Sequence, residues 1–238
     1  MMNARYPKAL SPFWIAEYSE QLAALAEPAA MTAPVPTCGD WTMSDLLWHL
    51  MEVQDFWGHI IRNRPNGREG HTPMDRPSDN DLGAGLRGAT QRLVAALEAA
   101  DPSEPAWSWA EEQTVGFSVR RQTHEALVHL ADGLLAVGQP LPVVNPLLGA
   151  DGVDEMVTIM IDEPGLEATV HLSATDTGDS WKVGSAASGT ITSESMISAL
   201  ASDLNFWLWG RADDSAVTVT GDPGNAETLR AFITEHTQ

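Results

Sequence analysis

A carboxylate and an imidazole lie four residues apart near the middle of the chain. Glu125 and His129 belong to a segment, residues 120–132, that has no glycine or proline and is rich in helix-forming residues. In an α-helix, positions i and i+4 stand one above the other on the same face. Such a pair can bind a single divalent cation through a carboxylate oxygen and an imidazole nitrogen. The spacing therefore predicts two ligands of a metal ion, with a third to come from elsewhere.

The candidate for the third ligand is His49, far upstream in an apolar helical stripe with Leu46, Leu50 and Val53. A polar ring that is buried in an apolar stripe lowers the stability of the fold unless it finds a partner. Two imidazoles and one carboxylate leave a tetrahedral zinc ion one open position, which is the arrangement of catalytic zinc sites. We therefore expect the three ligand atoms to converge to about 2.0–2.2 Å from one Zn²⁺.

Each of these residues also has a simpler interpretation. Arg121, Glu125, His129 and Asp132 form one polar stripe opposite the leucines of the same helix, which is typical of an ordinary solvent-exposed face. A lone histidine in an apolar stripe is more often a satisfied core residue than a ligand. His124 and His129 are one residue too far apart for the His-Glu-x-x-His zinc motif. The residues alone leave both the metal site and the ordinary interpretations open.

The other histidines and the single cysteine do not indicate a second site. His59, His71, His171 and His236 have no supporting partner in the sequence, and Cys38 lies in a loop as a small residue suited to packing. One cysteine excludes an internal disulfide framework and a cysteine metal cluster.

Composition narrows the class of protein. The chain has 13 lysines and arginines against 33 aspartates and glutamates, so its formal charge is −20. A net negative charge of this size repels the phosphate backbones of nucleic acids, so nucleic-acid binding is not expected. No apolar run approaches the roughly 20 residues of a membrane span, and the N-terminus lacks the apolar core of a signal peptide. We expect a cytoplasmic protein without a membrane partner, as a monomer or homodimer.

Helical periodicity places the candidate ligands in a bundle. Thr42 and Asp45 form a capping-box pattern ahead of an apolar stripe. Proline and glycine punctuate residues 28–40 and 63–80, which predicts long connections, and long loops are often functional or mobile. The patterns predict four helices, at residues 12–27, at 43–62, ending near 100 with an uncertain start, and at 119–137. Bundles of this kind commonly house metal sites in their cores.

The pattern changes after residue 138, and the rest of the chain predicts a small α+β domain. Short strands are predicted at residues 156–161, 168–174, 181–183, 189–192 and 216–220. Helices are predicted at 193–209, ending at Gly210, and at 225–235. The fold class is therefore α+β, with a helical bundle at 1–142 and an α+β domain at 143–238, connected near residues 138–150.

Three segments carry a resemblance to a known family. Residues 36–50, which read Pro-Thr-Cys-Gly-Asp-Trp-Thr-Met-Ser-Asp-Leu-Leu-Trp-His-Leu, resemble the start of the mycothiol-dependent maleylpyruvate isomerase family, within the wider DinB-like metal-binding bundles. Residues 121–132 resemble its second motif, and residues 208–211 resemble its Trp/Ala-Gly-Arg segment. The C-terminal part is similar to a sterol-carrier-like fold. Gly39-Asp40 departs from the usual Pro-Gly, and Leu130 stands where many members have arginine.

The resemblance implies roles for particular residues. His49, Glu125 and His129 would bind Zn²⁺ or another divalent metal, Asp132 would support a ligand, and Arg211 would reach toward the active site. We expect Arg211 to hold a substrate carboxylate in a cleft between bundle and C-terminal domain; the ordinary alternative is a surface arginine at a helix end.

The implied activity is zinc-dependent thiol chemistry. A thiol bound at the open position loses its proton at neutral pH and becomes a nucleophile. The resemblance implies that the thiol is mycothiol and that it attacks a small electrophile, as an isomerase or as a thiol S-transferase. Two other classes stay open, a non-catalytic metal- or ligand-binding module and a zinc-dependent hydrolase.

Overall fold

Four helices form the N-terminal part of the computed structural model, which describes residues 10–64, 66–161, 168–184 and 193–237. They are α1 (Pro12–Ala24), α2 (Met43–Arg62), α3 (Asp79–Glu98) and α4 (Val115–Ala136). Both α1 and α2 pack against α3 and α4, which makes a four-helix bundle. The chain divides into two compact units, residues 1–142 and 143–238.

Polar caps fix where the bundle helices begin. The Thr42 hydroxyl accepts a hydrogen bond from the Asp45 backbone N–H, while the Asp45 carboxylate accepts one from the Thr42 backbone N–H. This is the predicted capping box, which satisfies two helix-end donors at the start of α2. Helix α4 begins four residues before the predicted start because Thr114 caps it through the backbone N–H of Phe117.

Glycines bring the helices into close contact. A Cβ atom on Gly83 would lie 2.9 Å from the Ala26 Cβ, and one on Gly133 would lie 2.4 Å from Leu22 Cδ1. Gly83, one of the glycines that made the start of α3 uncertain in the sequence, therefore has a packing role. The close approach of α3 and α4 to the segment around α1 requires the missing side chains.

Burial of α4 decides one of the open interpretations. Asp132 is fully buried, Arg121 is 5% exposed, and Glu125 and His129 are half-buried. The polar stripe of this helix is therefore not a solvent-exposed face, and that interpretation is wrong. A helix buried on nearly all sides must satisfy its polar groups within the protein.

The C-terminal unit combines helices with a four-stranded sheet in the described residues. The strands are β1 (Thr169–Ala174), β2 (Ser180–Val183), β3 (Glu194–Ala199) and β4 (Thr218–Gly221), in the order β2-β1-β3-β4. Strands β1 and β3 are parallel, and both outer pairs are antiparallel. The helices are α5 (Pro146–Glu155), α6 (Ala201–Leu208) and α7 (Gly224–Thr237). The predicted α+β fold class, a helical bundle followed by an α+β part, is confirmed.

Several predicted elements of this unit are wrong. The strand at 156–161 is instead a π-helical turn, Met156–Met160, which continues α5, and α5 itself occupies part of the predicted connection. The helix at 193–209 begins as strand β3, because Ser195 and Ile197 alternate into the core while Met196 faces outward. Its second half is α6, followed as predicted by Gly210 with φ 73°. The strand predicted at 189–192 lies outside the described residues.

Helix α5 has a capping signal and a close neighbour in α6. The Asn145 side chain accepts a hydrogen bond from the Leu147 backbone N–H, and Pro146 occupies the first turn. Cβ atoms on Gly149 and Gly152 would lie 2.7 Å from the Ser202 nitrogen and 2.6 Å from the Asn205 amide oxygen. Neither this helix nor any other in the described residues is long and apolar enough to cross a membrane.

Candidate metal centre

Helices α2 and α4 bring the three predicted ligands together. Glu125 Oε1 lies 3.4 Å from His49 Nε2 and 3.3 Å from His129 Nε2. The two imidazole rings are 4.9 Å apart between centroids and nearly perpendicular. The three ligand atoms all lie within 4.8 Å of one another, a group that a metal ion could join.

Asp132 holds the His129 ring in place. Its Oδ2 atom lies 3.0 Å from His129 Nδ1, and its Oδ1 atom accepts a hydrogen bond from the Thr37 hydroxyl. A carboxylate that accepts the Nδ1 proton leaves Nε2 as the ligand nitrogen and fixes the ring orientation. Sequence reasoning named Asp132 as a supporting residue but missed Thr37, whose position in the motif at 36–50 was the available signal.

Arg121 supports Glu125 from one helical turn earlier. A guanidinium nitrogen of Arg121 lies 2.5 Å from Glu125 Oε2, so this oxygen is engaged while Oε1 faces both histidines. Burial raises the pKa of Glu125. The Arg121 charge and hydrogen bonds from His129 and His49 lower the pKa by more than burial raises it, so the pKa lies well below the ordinary value. The carboxylate is therefore ionised, as a metal ligand must be. Arg121 was noted in the sequence only as part of the polar stripe.

His129 is stabilised as a cation when no metal competes. Burial lowers the pKa of His129, but hydrogen bonds to Asp132 and Glu125 and their negative charges raise it to about 9. Two carboxylates around one imidazole thus favour positive charge at this position. A divalent cation that replaced the proton would meet the same field, and its binding would release that proton.

His49 occupies the more open side of the centre. Its side chain is 34% exposed, whereas Leu46 and Leu50 beside it are fully buried. His49 therefore lies at the edge of the apolar stripe, and its interpretation as a core residue is wrong. The Trp41 ring lies 4.8 Å from the His49 ring and 6.5 Å from the His129 ring between centroids. In the sequence, Trp41 was identified only as part of the motif at 36–50. In the structure, its ring forms an aromatic wall beside the two histidines.

The donor set fits zinc. Two imidazole nitrogens and one carboxylate oxygen are ligands that zinc takes in catalytic sites, and the flanking partners orient both His129 and Glu125. A second group, Cys38 with His129 and Asp132, also lies within 4.8 Å. Its Asp132 oxygens already bond to Thr37 and His129. The group on His49 is the better candidate because Glu125 Oε1 faces both of its histidines.

Arg211 lies in the C-terminal unit, just after α6. It is 9% exposed, donates a hydrogen bond to the Trp209 carbonyl, and its guanidinium carbon is 6.0 Å from the Trp209 ring centroid. The interpretation as a surface arginine is therefore wrong. The described contacts of Arg211 are with Trp209, two residues before it. Its role toward a substrate stays a prediction.

His59 and His71 have neighbours that the sequence did not indicate. His59 Nε2 lies 2.9 Å from the Glu69 carbonyl oxygen. His71 Nε2 lies 3.7 Å from an Asp55 carboxylate oxygen, which is beyond hydrogen-bond distance. His71 also lines a cavity of about 280 Å³ that reaches His49. The lining residues are His49, Glu52, Val53, Asp55, Phe56, Trp57, His71, Pro73 and Met74.

Comparisons with known proteins concern the family and the fold of the chain. The family model described as the mycothiol maleylpyruvate isomerase N-terminal domain matches residues 15–132, which include all three candidate ligands. Among curated protein sequences, none matches the chain. Crystal structures of the mycothiol-dependent maleylpyruvate isomerase and of a histidine-to-alanine mutant both superpose with a TM-score of 0.62. They are 15% and 14% identical, and each alignment covers 88% of this chain and 90% of the other, so the likeness shows a shared fold.

Proposed function

This chain belongs to the mycothiol-dependent maleylpyruvate isomerase family, and on that premise we propose that it is a zinc-dependent enzyme using mycothiol to attack a small electrophile. The observation that carries the proposal is the convergence of His49, Glu125 and His129 within the matched domain. Isomerisation and thiol transfer share the same first step, so both reactions fit one site.

The chain's residues would hold the metal and keep its ligands oriented. His49, Glu125 and His129 supply the donors, Asp132 fixes the tautomer of His129, and Arg121 holds the second oxygen of Glu125. A zinc ion held by two imidazoles and one carboxylate would keep part of its positive charge and would lower the pKa of a bound thiol, so that the thiol would be a thiolate at neutral pH.

The proposed reaction needs no redox partner. The thiolate adds to one carbon of a conjugated cis double bond, forming a C–S bond while the π electrons move onto the conjugated carbonyl. Rotation about the resulting single bond and loss of the thiolate then give the trans product and return the thiol. In a transferase, the adduct would instead take up a proton and keep the sulfur.

Arg211 is the proposed binding group for a carboxylate of the electrophile. A planar guanidinium can donate two parallel hydrogen bonds to a carboxylate, whereas a lysine ammonium cannot. We expect Arg211→Lys to lower turnover while zinc content stays near wild type. Arg211→Ala should lower turnover and also the unfolding midpoint, because it removes a side chain that is only 9% exposed. Wild-type turnover of both variants with the true substrate would remove Arg211 from the site.

Metal analysis combined with thiol consumption tests the proposal as a whole. Protein purified without added metal should contain close to one zinc per chain and consume mycothiol in the presence of maleylpyruvate or a related electrophile. His49→Ala should lose both properties, and His171→Ala, a change on the exposed face of β1, should keep both. Turnover without any thiol would indicate a hydrolase instead. A metal-free protein that binds ligand without turnover would indicate a binding module.

A further inference from the structure

The long connection between α2 and α3 is fixed against α2. The Asn63 side-chain amide donates to the carbonyl oxygens of Gly67 and Glu69, at 3.1 and 2.8 Å. Further along the connection, Arg76 donates to the Asp45 carboxylate at 2.8 Å. These contacts tie both ends of the loop to α2, so the intervening residues form a wall beside the helix.

That wall closes the cavity next to the candidate metal centre. His71, Pro73 and Met74 of the loop face residues 49–57 of α2 across about 280 Å³. The His71 ring packs edge-on against the Phe56 ring, with centroids 5.1 Å apart. Small-molecule pockets commonly measure about 300–1,000 Å³, so this one suits a fragment of a ligand, near the size of one ring.

The lining combines apolar surfaces with two carboxylates. Phe56 and Val53 offer apolar contact, and Glu52 and Asp55 bring two carboxylates to the cavity, of which Asp55 also pairs with Arg92 at 3.1 Å. Carboxylates in a chain of formal charge −20 disfavour anionic ligands. We therefore expect a carboxylate of the electrophile to bind elsewhere than in this cavity.

The same lining suits a neutral, hydroxylated ligand. Carboxylate oxygens accept hydrogen bonds from hydroxyl groups, and an aromatic face packs against the C–H side of a sugar ring. His71 adds a buried Nε2 atom that has no hydrogen-bond partner among the described residues, since Asp55 lies 3.7 Å away. A hydrogen bond between a ligand hydroxyl and this nitrogen would offset the free-energy cost of burying the nitrogen unpaired, and would therefore favour ligand binding.

We propose that this cavity, which we call the α2 cavity, binds a neutral polyhydroxylated part of the thiol cosubstrate. The inference rests on the proposed function, because His49 belongs both to the α2 cavity and to the candidate metal centre. A thiol bound at the metal would extend its hydroxylated portion along α2 between Phe56 and the loop. The cavity therefore determines which thiol is used, whereas the metal only requires a sulfur.

Steady-state kinetics of the zinc-loaded protein with two thiols tests this inference. Mycothiol carries its acylated cysteine on a sugar, and N-acetylcysteine is an acylated cysteine without one. The variants are Glu52→Gln and Phe56→Ala, with Glu98→Gln and Phe13→Ala as controls at exposed positions outside the cavity. We expect the KM for mycothiol to rise roughly three- to tenfold in both cavity variants, the range that one aromatic contact supports.

The other readouts separate this role from a structural one. The KM for N-acetylcysteine, the KM for the electrophile, zinc content and kcat at saturating mycothiol should stay unchanged in the cavity variants. Glu52→Gln keeps the test valid if Phe56→Ala lowers the unfolding midpoint, because it replaces a carboxylate by an amide of the same shape. Both controls should keep the wild-type KM for mycothiol.

Two results would overturn the inference while the proposed function stands. One is equal KM values for mycothiol and N-acetylcysteine in the wild-type protein. The other is a rise in the KM for the electrophile, rather than for mycothiol, in the cavity variants. Absence of thiol-dependent turnover in a zinc-loaded wild-type protein would overturn both, and the two failures are thereby distinguished.

Discussion

The two helices of the candidate metal centre hold their histidines in different ways. On α4, His129 is 12% exposed and Asp132 contacts its second ring nitrogen, while Arg121 contacts the neighbouring Glu125. On α2, His49 is 34% exposed, and its described partners are Glu125 and the Trp41 ring. The α4 side is fixed by buried ionic contacts, and the α2 side opens toward a cavity.

This difference assigns separate tasks to the two sides. Ligands with buried partners keep their geometry whether or not a metal is present, because reorienting them would break hydrogen bonds in the interior. A more exposed ligand leaves room for substrates to approach. We infer that both helices supply metal ligands, that the partners on α4 fix the ligand geometry, and that the α2 side gives access.

The largest effect should follow from breaking the ionic pair on α4. Glu125→Ala removes a ligand and breaks the buried ionic pair with Arg121, which costs about 3–5 kcal/mol of the free energy of unfolding. His49→Ala should lose zinc as well but cost much less stability, because its side chain is a third exposed. Urea unfolding with a chelator present measures both. Equal losses of stability would show that the two sides are not held differently.

A smaller effect is expected from the residue that orients His129. Asp132→Asn should weaken zinc binding about 10- to 100-fold, the usual cost of losing a partner behind a metal ligand. The matched change on the other side is Trp41→Phe, which keeps an aromatic ring beside His49 and should leave zinc affinity nearly unchanged. Competition with a chromogenic chelator gives both affinities. A larger loss for Trp41→Phe than for Asp132→Asn would reverse the comparison.

The close packing of α4 against α1 can be tested at Gly133. A Cβ atom there would lie 2.4 Å from Leu22 Cδ1 in the core. Overpacking of a core costs about 1–3 kcal/mol of stability. The higher helix propensity of alanine offsets up to about 1 kcal/mol of that cost. We expect Gly133→Ala to destabilise by about 1–2 kcal/mol. Gly88→Ala is the control, since its Cβ would only reach Arg92 at 3.4 Å, and it should stabilise slightly. Thermal unfolding would contradict the packing argument if both changes had the same sign.

The smallest effect concerns how α2 is anchored. Thr42→Ala removes the hydroxyl of the capping box and should cost about 1 kcal/mol of stability without changing zinc affinity.

Hydrogen bonds from Thr42 and Arg76 lower the pKa of Asp45 to about 2. A lowered pKa stabilises the fold above the ordinary carboxyl value of about 4, and this contribution is lost as pH falls toward 2. The stability difference between wild type and Asp45→Asn should therefore shrink between pH 5 and about pH 2, and a constant difference would contradict the assignment.

The sequence was sufficient to predict which residues converge, but not how the polar side of α4 would be covered. Spacing on a helix shows that Glu125 and His129 share a face. The position of His49 in an apolar stripe suggested the third ligand, and the family resemblance supported it. Periodicity cannot show that Asp132 and Arg121 are buried, because burial depends on what packs against a face. The hydrogen bond from Thr37 to Asp132 joins residues 95 positions apart and has no local pattern.

The errors in the C-terminal unit have identifiable causes. A run of β-branched and long apolar residues at 156–160 favours a strand, yet it continues α5, which had been missed despite the Asn145-Pro146 start signal. The segment 194–199 has a helix-compatible composition, but pairing with β1 and β4 on both sides makes it a strand. Tertiary contacts of this kind override local propensity.

The lengths of the strands have a consequence for association between copies of the chain. In the sheet formed by the described residues, the outer strands β2 and β4 have four residues each and the inner strands β1 and β3 have six. An unpaired strand edge is a template onto which another chain can add, and short or charged edges oppose this. Strand β2 also carries Lys182, and β4 ends at Gly221 with φ 93°. The sheet thus offers few backbone groups for cross-chain pairing, which favours resistance to aggregation even though Met196 is 48% exposed on an inner strand.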